Sequence, residues 1–183
     1  KHVICDYLNL KVYIDGISPD NSKDVVIKNC NVISGDDGIV FKSSYNLNKL
    51  GKCEDIKVSN CIVTSRCNAI KFGTESNGAF LNISVKDTKI INSRITGISV
   101  ESVDGAHIKN LTFNNIEMKN TGTPIFVHLG KRLRGPKGSK IGSISHVTFN
   151  NIKATGPYKL VKTIYHANLI KSIIKLKVLK MFT

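Results

Sequence analysis

Tryptophan is absent from this chain of 183 residues, and aromatic residues make up only 7% of it. What remains is rich in Val, Ile, Asn, Ser and Thr, a balance that favours strands and tight turns over helices. Long hydrophobic runs are also missing. No apolar stretch approaches the ~20 residues that a membrane-spanning helix needs, so no transmembrane segment is expected, and no signal peptide is visible. The chain opens mid-pattern at KHVICDYLNLKVY, so a preceding start is expected to be missing. Acidic residues are scarce: 13 Asp and Glu stand against 27 Lys and Arg, a formal net charge of +14. Such a surplus fits an acidic partner or a lysine-rich solvated surface. It concentrates in Gly130–Lys140 (GKRLRGPKGSK) and in the lysines from Lys159 onward. Neither stretch has the interleaved aromatics on which bases stack, so nucleic acid is not an expected partner. Finally, paired cysteine motifs are lacking. Cys5, Cys30, Cys53, Cys61 and Cys67 form no CxxC pair and no His/Cys spacing suited to zinc. An odd number of cysteines argues against a full disulfide set, and buried free thiols acting as small apolar residues are expected.

What the chain does have is an internal repeat. Set Val25–Ser43 (VVIKNCNVISGDDGIVFKS) beside Ile56–Thr74 (IKVSNCIVTSRCNAIKFGT), and Asn29 falls on Asn60, Cys30 on Cys61, Val32 on Val63, Ile39 on Ile70 and Phe41 on Phe72, all at an offset of 31 residues. Further copies follow at Ile83–Glu101, Ile108–His128 and from Val147, with Phe72, Val100 and Val127 spaced by 28 and then 27 residues. Each copy consists of short alternating apolar runs ended by Asn, Gly, Ser or Asp, which reads as strand, turn, strand, turn. One such unit cannot bury its own apolar face, whereas stacked units form a continuous core of parallel strands. The expected fold is therefore all-β: a right-handed single-stranded parallel β-helix of about five coils, with Cys30 on Cys61 as an interior stack. Asn29, Asn60, Asn115 and Asn151 are expected at turns, where Asn tolerates the left-handed conformation and can hydrogen-bond along the stack. A leucine-rich repeat is disfavoured, because its LxxLxLxxN signature and helix pattern are missing. The helical domain is placed at 1–166, with 167–183 as a Lys/Ile-rich tail or cap. Apolar residues at 169, 170, 173 and 174, with lysines at 171 and 175, fit a short helical face there.

Two turn clusters hold the candidate chemistry. Asp15 lies in IDGISPD, and Asp36 and Asp37 in SGDDG, 21 residues after Asp15 in the case of Asp36. In a stacked coil that distance can bring three carboxylates onto one surface. Close carboxylates repel, the condition under which one stays protonated beside an ionised neighbour. Two carboxyls so differentiated can cleave a glycosidic bond. On spacing alone the ordinary reading, turn residues only, is the stronger one.

The string DGISPDNSKDVVIKNCNVISGDDGIVFKS resembles glycoside hydrolase family 28, the polygalacturonase and rhamnogalacturonase family, and the likeness continues more loosely to about Pro157. The resemblance implies a right-handed parallel β-helix, secreted or periplasmic location, and inverting hydrolysis with no metal or other cofactor. It implies Asp36 as general acid, Asp15 and Asp37 as the carboxylates that activate water, and a pectic polysaccharide or oligosaccharide as partner of a monomer. Lys42, Lys71 and Glu75 are candidates for substrate contact. Two family features depart. The stretch set against the usual GHG triplet reads Lys71-Phe72-Gly73-Thr74-Glu75, without His. The stretch set against RIK reads Ser99-Val100-Glu101, without a cation, which favours a rhamnogalacturonan-type or other pectic bond over plain polygalacturonate. The competing readings are a non-catalytic β-helix, since both ends look truncated, and a polysaccharide lyase, whose Ca²⁺-binding acidic cluster and basic catalyst are poorly matched.

Overall fold

The computed structural model describes residues 3–6, 8–156, 174–176 and 179–182. All of its regular structure is β. In chain order the strands are β1 (Val3–Asp6), β2 (Asn9–Val12), β3 (Val25–Lys28), β4 (Asn31–Ser34), β5 (Ile39–Ser43), β6 (Tyr45–Asn46), β7 (Lys49–Leu50), β8 (Lys52–Ser59) and β9 (Ile62–Ser65). They continue with β10 (Asn68–Ser76), β11 (Ala79–Ile91), β12 (Thr96–Ser102), β13 (His107–Lys119), β14 (Thr123–Leu129), β15 (Ser143–Thr155), β16 (Ile174–Leu176) and β17 (Leu179–Phe182). Apart from the small antiparallel pair β6–β7, every ladder is parallel. One sheet runs β1-β3-β8-β11-β13-β15-β16, flanked by β2-β4-β9 and β17, and a second runs β14-β12-β10-β5. The chain winds from one sheet to the other and back, which makes it the right-handed single-stranded parallel β-helix expected from the repeat.

The ladders reproduce the sequence offsets. Ile39 pairs with Ile70 and Phe41 with Phe72, Phe72 with Val100, and Val100 with Val127. Because strands alternate their faces, each inward column repeats one kind of side chain. Ile39, Ile70, Ile98 and Ile125 form one column. Ile27, Val58, Val85, Phe113 and Phe149 form another across the longer sheet. Few as they are, the phenylalanines are concentrated here. Phe41 stacks on Phe72 at 4.5 Å between ring centroids, and Phe113 on Phe149 at 4.9 Å. Phe72 meets Phe80 and Phe113 edge-on at 5.8 and 5.9 Å, so it ties the two sheets together.

The turns are held by asparagine. Asn29, Asn60, Asn115 and Asn151 all have φ between 50° and 56°. Their side chains form ladders along the stack. Asn60 Nδ2 donates to Asn29 Oδ1 at 2.7 Å and Asn29 Nδ2 to Asp6 Oδ1 at 2.9 Å. Asn151 donates to Asn115 at 2.8 Å, and Asn115 to Asp87 at 2.9 Å. Each bond satisfies the amide that left-handed geometry turns outward, so one residue type serves both backbone and stack. The five cysteines are free thiols, with Cys30, Cys53 and Cys61 buried. Cys30 Sγ lies 3.6 Å from Cys5 Sγ. Burial pushes the Cys61 thiol up to about 11, so it stays neutral in the core.

The sequence reading of a helical face at 169–175 is corrected at its end. Residues 169–173 lie outside the described residues, but Ile174–Leu176 and Leu179–Phe182 are strands paired in parallel with β15. The pull of sheet continuation overrides a weak local helix period. Among the described residues no helix is long and apolar enough to cross a membrane.

Phe72 touches both sheets, so truncating it should be among the costliest core changes. We expect Phe72→Ala to lose about 3–5 kcal/mol, read as a fall in the urea midpoint.

Candidate active site

The first coil places Asp15. Gly16 N donates to Asp37 O and Ile17 N to Gly38 O, both at 2.9 Å, and Ile17 bridges Ile39. The segment around Asp15 therefore stacks in register on the segment around Asp37. Two glycines permit the close approach. A Cβ on Gly16 would stand 2.5 Å from Gly38 O, and one on Gly38 would stand 2.5 Å from Ala69 O. Asp15 Oδ1 accepts from Asp37 N at 3.3 Å. Asp15 is thus the direct neighbour of Asp37, and Asp36 stands one step aside.

The next coil completes the stack. The offset of 31 residues puts Cys67 on Asp36 and Asn68 on Asp37. Asp37, 7% exposed, accepts on Oδ1 from Asn68 N at 3.1 Å and from Asn68 Nδ2 at 2.6 Å. Its Oδ2 lies 3.0 Å from Lys71 Nζ. Asp15 Oδ2 lies 3.0 Å from Lys42 Nζ. Asp36 is exposed, and its backbone is fixed where Ser34 Oγ and Ser65 Oγ donate to its carbonyl at 2.9 and 2.6 Å. The residue stacked on Asp37 is therefore Asn68, three positions before the stretch that sequence comparison had set against the GHG triplet.

Glu75 arrives by a bulge. Phe41 pairs with Phe72, but Ser43 pairs with Ser76, so β10 carries extra residues that swing out of the ladder. Gly73 takes φ 89° at the start of that bulge. Glu75 Oε2 then accepts from Ser44 Oγ at 2.8 Å, and Oε1 lies 3.7 Å from Lys42 Nζ. Burial alone lowers the Lys42 ammonium, but the hydrogen bond and charge of Asp15, then Glu75 and Asp20, outweigh it and hold the ammonium above its ordinary value. The structure thus brings all six residues singled out in the sequence onto one face: Asp15, Asp36, Asp37, Lys42, Lys71 and Glu75. Both lysines are committed to aspartates and are not free cations on the surface.

Some neighbours were not singled out. Carboxylate oxygens of Asp36 and Asp37 and the Cys67 sulfur lie within 4.8 Å of one another. This donor set does not fit a resident metal. Both Asp37 oxygens are engaged by Asn68 and Lys71. Burial and then a hydrogen bond to Asp36 raise the Cys67 thiol, so it is a neutral donor beside Asp36 instead of a thiolate ligand. Asn68 and Cys67 were within reach of the sequence, one repeat beyond the DD pair. Arg132 was not. It sits in the basic loop after β14, where Nε donates to Asp104 Oδ1 at 2.9 Å and Nη2 contacts Asp104 Oδ2. Nη2 also donates to Thr74 O at 2.6 Å, and Arg134 N donates to Asp104 Oδ1 at 2.9 Å. The loop is thereby pinned to the bulge that carries Glu75.

Residues 12–166 match glycosyl hydrolases family 28, and the chain belongs to that family. Among curated relatives it is 28% identical over 143 residues to an endo-polygalacturonase of Pectobacterium parmentieri and, over the same length, to one of Pectobacterium carotovorum subsp. carotovorum. Each alignment covers 75% of this chain and 33% of the relative. The fold is similar to that of a solved polygalacturonase from Erwinia carotovora ssp. carotovora, with a TM-score of 0.71 and 20% identity over 100% of this chain and 50% of that one. The chain therefore spans a third to a half of the length of the relatives it matches.

Burial pushes the Asp104 carboxyl up, but the Arg132 hydrogen bond and charge and the Arg134 amide outweigh it, so the carboxyl lies below its ordinary value of 3.8. A depressed folded value means stability that is complete above 3.8 and fades as pH falls through the lower value. Asp104→Asn should accordingly cost about 3 kcal/mol at pH 7. Urea midpoints of variant and wild type should draw together below pH 3.8.

Proposed function

We propose that this chain carries the acid–base centre of an inverting glycoside hydrolase that cleaves pectic polysaccharide. Asp36 is the general acid, and Asp15 and Asp37 activate the attacking water. The observation that carries this reading is the division of labour among three clustered carboxyls. Asp15 and Asp37 are each bound to a lysine ammonium at 3.0 Å, while Asp36 stands exposed beside a neutral thiol.

The chemistry follows from that division. Asp36 delivers its proton to the glycosidic oxygen as the bond to the anomeric carbon breaks. A water held by Asp15 and Asp37 attacks that carbon from the opposite side and loses a proton to a carboxylate. The product has inverted configuration, a part of the proposal that rests on the family and not on the spacing of the carboxyls, since carboxylate oxygens of Asp36 and Asp37 lie within 4.8 Å of each other. Lys42 and Lys71 fix the water-activating carboxylates, and their remaining N–H donors, with Glu75, meet substrate hydroxyls. The family and the names of the relatives support a pectic substrate, and action outside the cytoplasm by a monomer without cofactor is part of the same proposal.

The test is reducing-sugar release from homogalacturonan and from rhamnogalacturonan. Asp36→Asn, which keeps the side-chain shape, should lower the rate about 10²–10⁴-fold with an unchanged circular dichroism spectrum. Full activity in Asp36→Asn would remove the acid assignment. No release from any pectic polymer would leave a carbohydrate-binding β-helix without catalysis.

A further inference from the structure

Three of the five thiols gather at one corner of the coil. Asn31 N donates to Leu8 O, Ile62 N to Cys30 O and Lys89 N to Cys61 O, so Leu8, Cys30, Cys61 and Thr88 follow one another in a column. Cys30, Cys61 and Thr88 fill one local role there. Cys30 Sγ donates to Lys28 O at 3.1 Å, Cys61 Sγ to Ser59 O at 3.2 Å and Thr88 Oγ1 to Lys86 O at 2.9 Å. Each side chain reaches the carbonyl two residues back, and a hydroxyl serves the position as a thiol does.

Cys5 does not belong to that column. Its register partner is Ile27, yet its Sγ lies 3.6 Å from Cys30 Sγ, and Cys30 Sγ lies 3.6 Å from Cys5 O. Stacking alone does not account for this sulfur–sulfur contact. The other two thiols stand elsewhere: Cys53 donates to Pro19 O and Lys42 O, and Cys67 adjoins Asp36.

The pair is arranged for oxidation in two stages. Cys5 is half-buried and Cys30 is buried, so a disulfide reagent meets Cys5 first and Cys30 waits behind it as the resolving thiol. Burial and then the Cys30 sulfur push the Cys5 thiol up to about 11, which makes exchange slow at neutral pH and faster in alkali. Two sulfurs already in contact have to close to about 2.05 Å to bond. The position gives that bond something to hold. Among the described residues β1 pairs with β3 alone, and it exposes Val3 and Ile4. A strand held by a single ladder opens before the strands of the core.

We propose that Cys5 and Cys30 are a disulfide-forming pair, oxidised by a small-molecule disulfide of the glutathione type, and that their bond clamps β1 to the coil that follows it. The Cys5 thiolate attacks one sulfur of oxidised glutathione, which forms the Cys5–glutathione disulfide and releases one glutathione thiolate. Cys30 gives up its proton and attacks the Cys5 sulfur. That breaks the mixed disulfide, forms the Cys5–Cys30 bond and releases the second glutathione thiolate. Two protein thiols are thereby oxidised by two electrons, and one disulfide is reduced to two thiols, which take up the two protons. None of this depends on the acid–base centre.

The test is incubation of the chain with oxidised glutathione at about pH 8.5, followed by acid quenching, alkylation in urea, intact mass and a tryptic map. Lys11, Lys42, Lys57 and Arg66 separate the five cysteines, so each falls on its own peptide. Three alkylated thiols should remain of the five free ones, with one link joining the peptides of Cys5 and Cys30. The melting temperature should rise by about 5–10 °C and fall back with dithiothreitol. Cys61→Ser, which keeps a donor for Ser59 O, should retain the link and the rise, and Cys5→Ser should lose both. Should Cys5→Ser fail to fold, the parent map and Cys61→Ser decide the pairing. Five thiols retained, glutathione left on Cys5, a link to Cys61 or Cys67 or between chains, or a Cys5–Cys30 bond without a rise in melting temperature would overturn the proposal.

Discussion

In-register parallel pairing obliges each residue to sit on its counterpart one coil away. A column therefore tolerates only side chains that are content beside their own kind. Isoleucine on isoleucine and phenylalanine on phenylalanine meet this condition by dispersion and burial. Asparagine meets it by donating with one end of its amide and accepting with the other, as the Asn29–Asn60 and Asn115–Asn151 ladders do. Charged residues cannot meet it alone, because like charges would stack.

The acidic cluster is where that rule is strained. Asp15 and Asp37 are stacked neighbours, and the coil answers with lysines from the adjoining strands. Lys42 and Lys71 each take one aspartate, and Asn68, not a third acid, follows Asp37 in the column. Three carboxyls can thus share a face without the repulsion that would otherwise spread them. The same lysines thereby give up part of their availability to an anionic ligand.

Much of this was legible in the sequence, because a solenoid writes its register as an offset. Cys30 over Cys61, Phe41 over Phe72 and Val100 over Val127 could be read directly. The convergence of Asp15 with the DD pair followed from the same logic, and the structure stacks Asp15 on Asp37. The rest depends on events that break the offset. The bulge between Phe72 and Ser76 brings Glu75 to Lys42 and Ser44, and no periodicity contains it. Arg132 reaches Asp104 and Thr74 from a loop with no repeat at all. Nor does spacing say that a lysine's long stem will turn towards an aspartate and not towards water. The strand character of Ile174–Leu176 arises from the open edge of β15, a tertiary effect that local helix periodicity cannot register.

The offset also changes at fixed places. Asp20 bridges Lys42, yet Lys23 bridges Glu54, and the added residues form the β6–β7 hairpin. Ser102 pairs with Leu129, yet His107 pairs with Ser143, and the added residues form the basic loop held by Arg132. Both insertions leave the helix at the same corner, where the face bearing the aspartates ends, and both return to register within the same turn. The architecture thus separates two kinds of inheritance. The coil transmits the chemistry unchanged, while that single corner is free to lengthen, shorten or recharge. Changes at the corner can reshape the border of the face that bears the aspartates without revisiting the core columns that hold it in place.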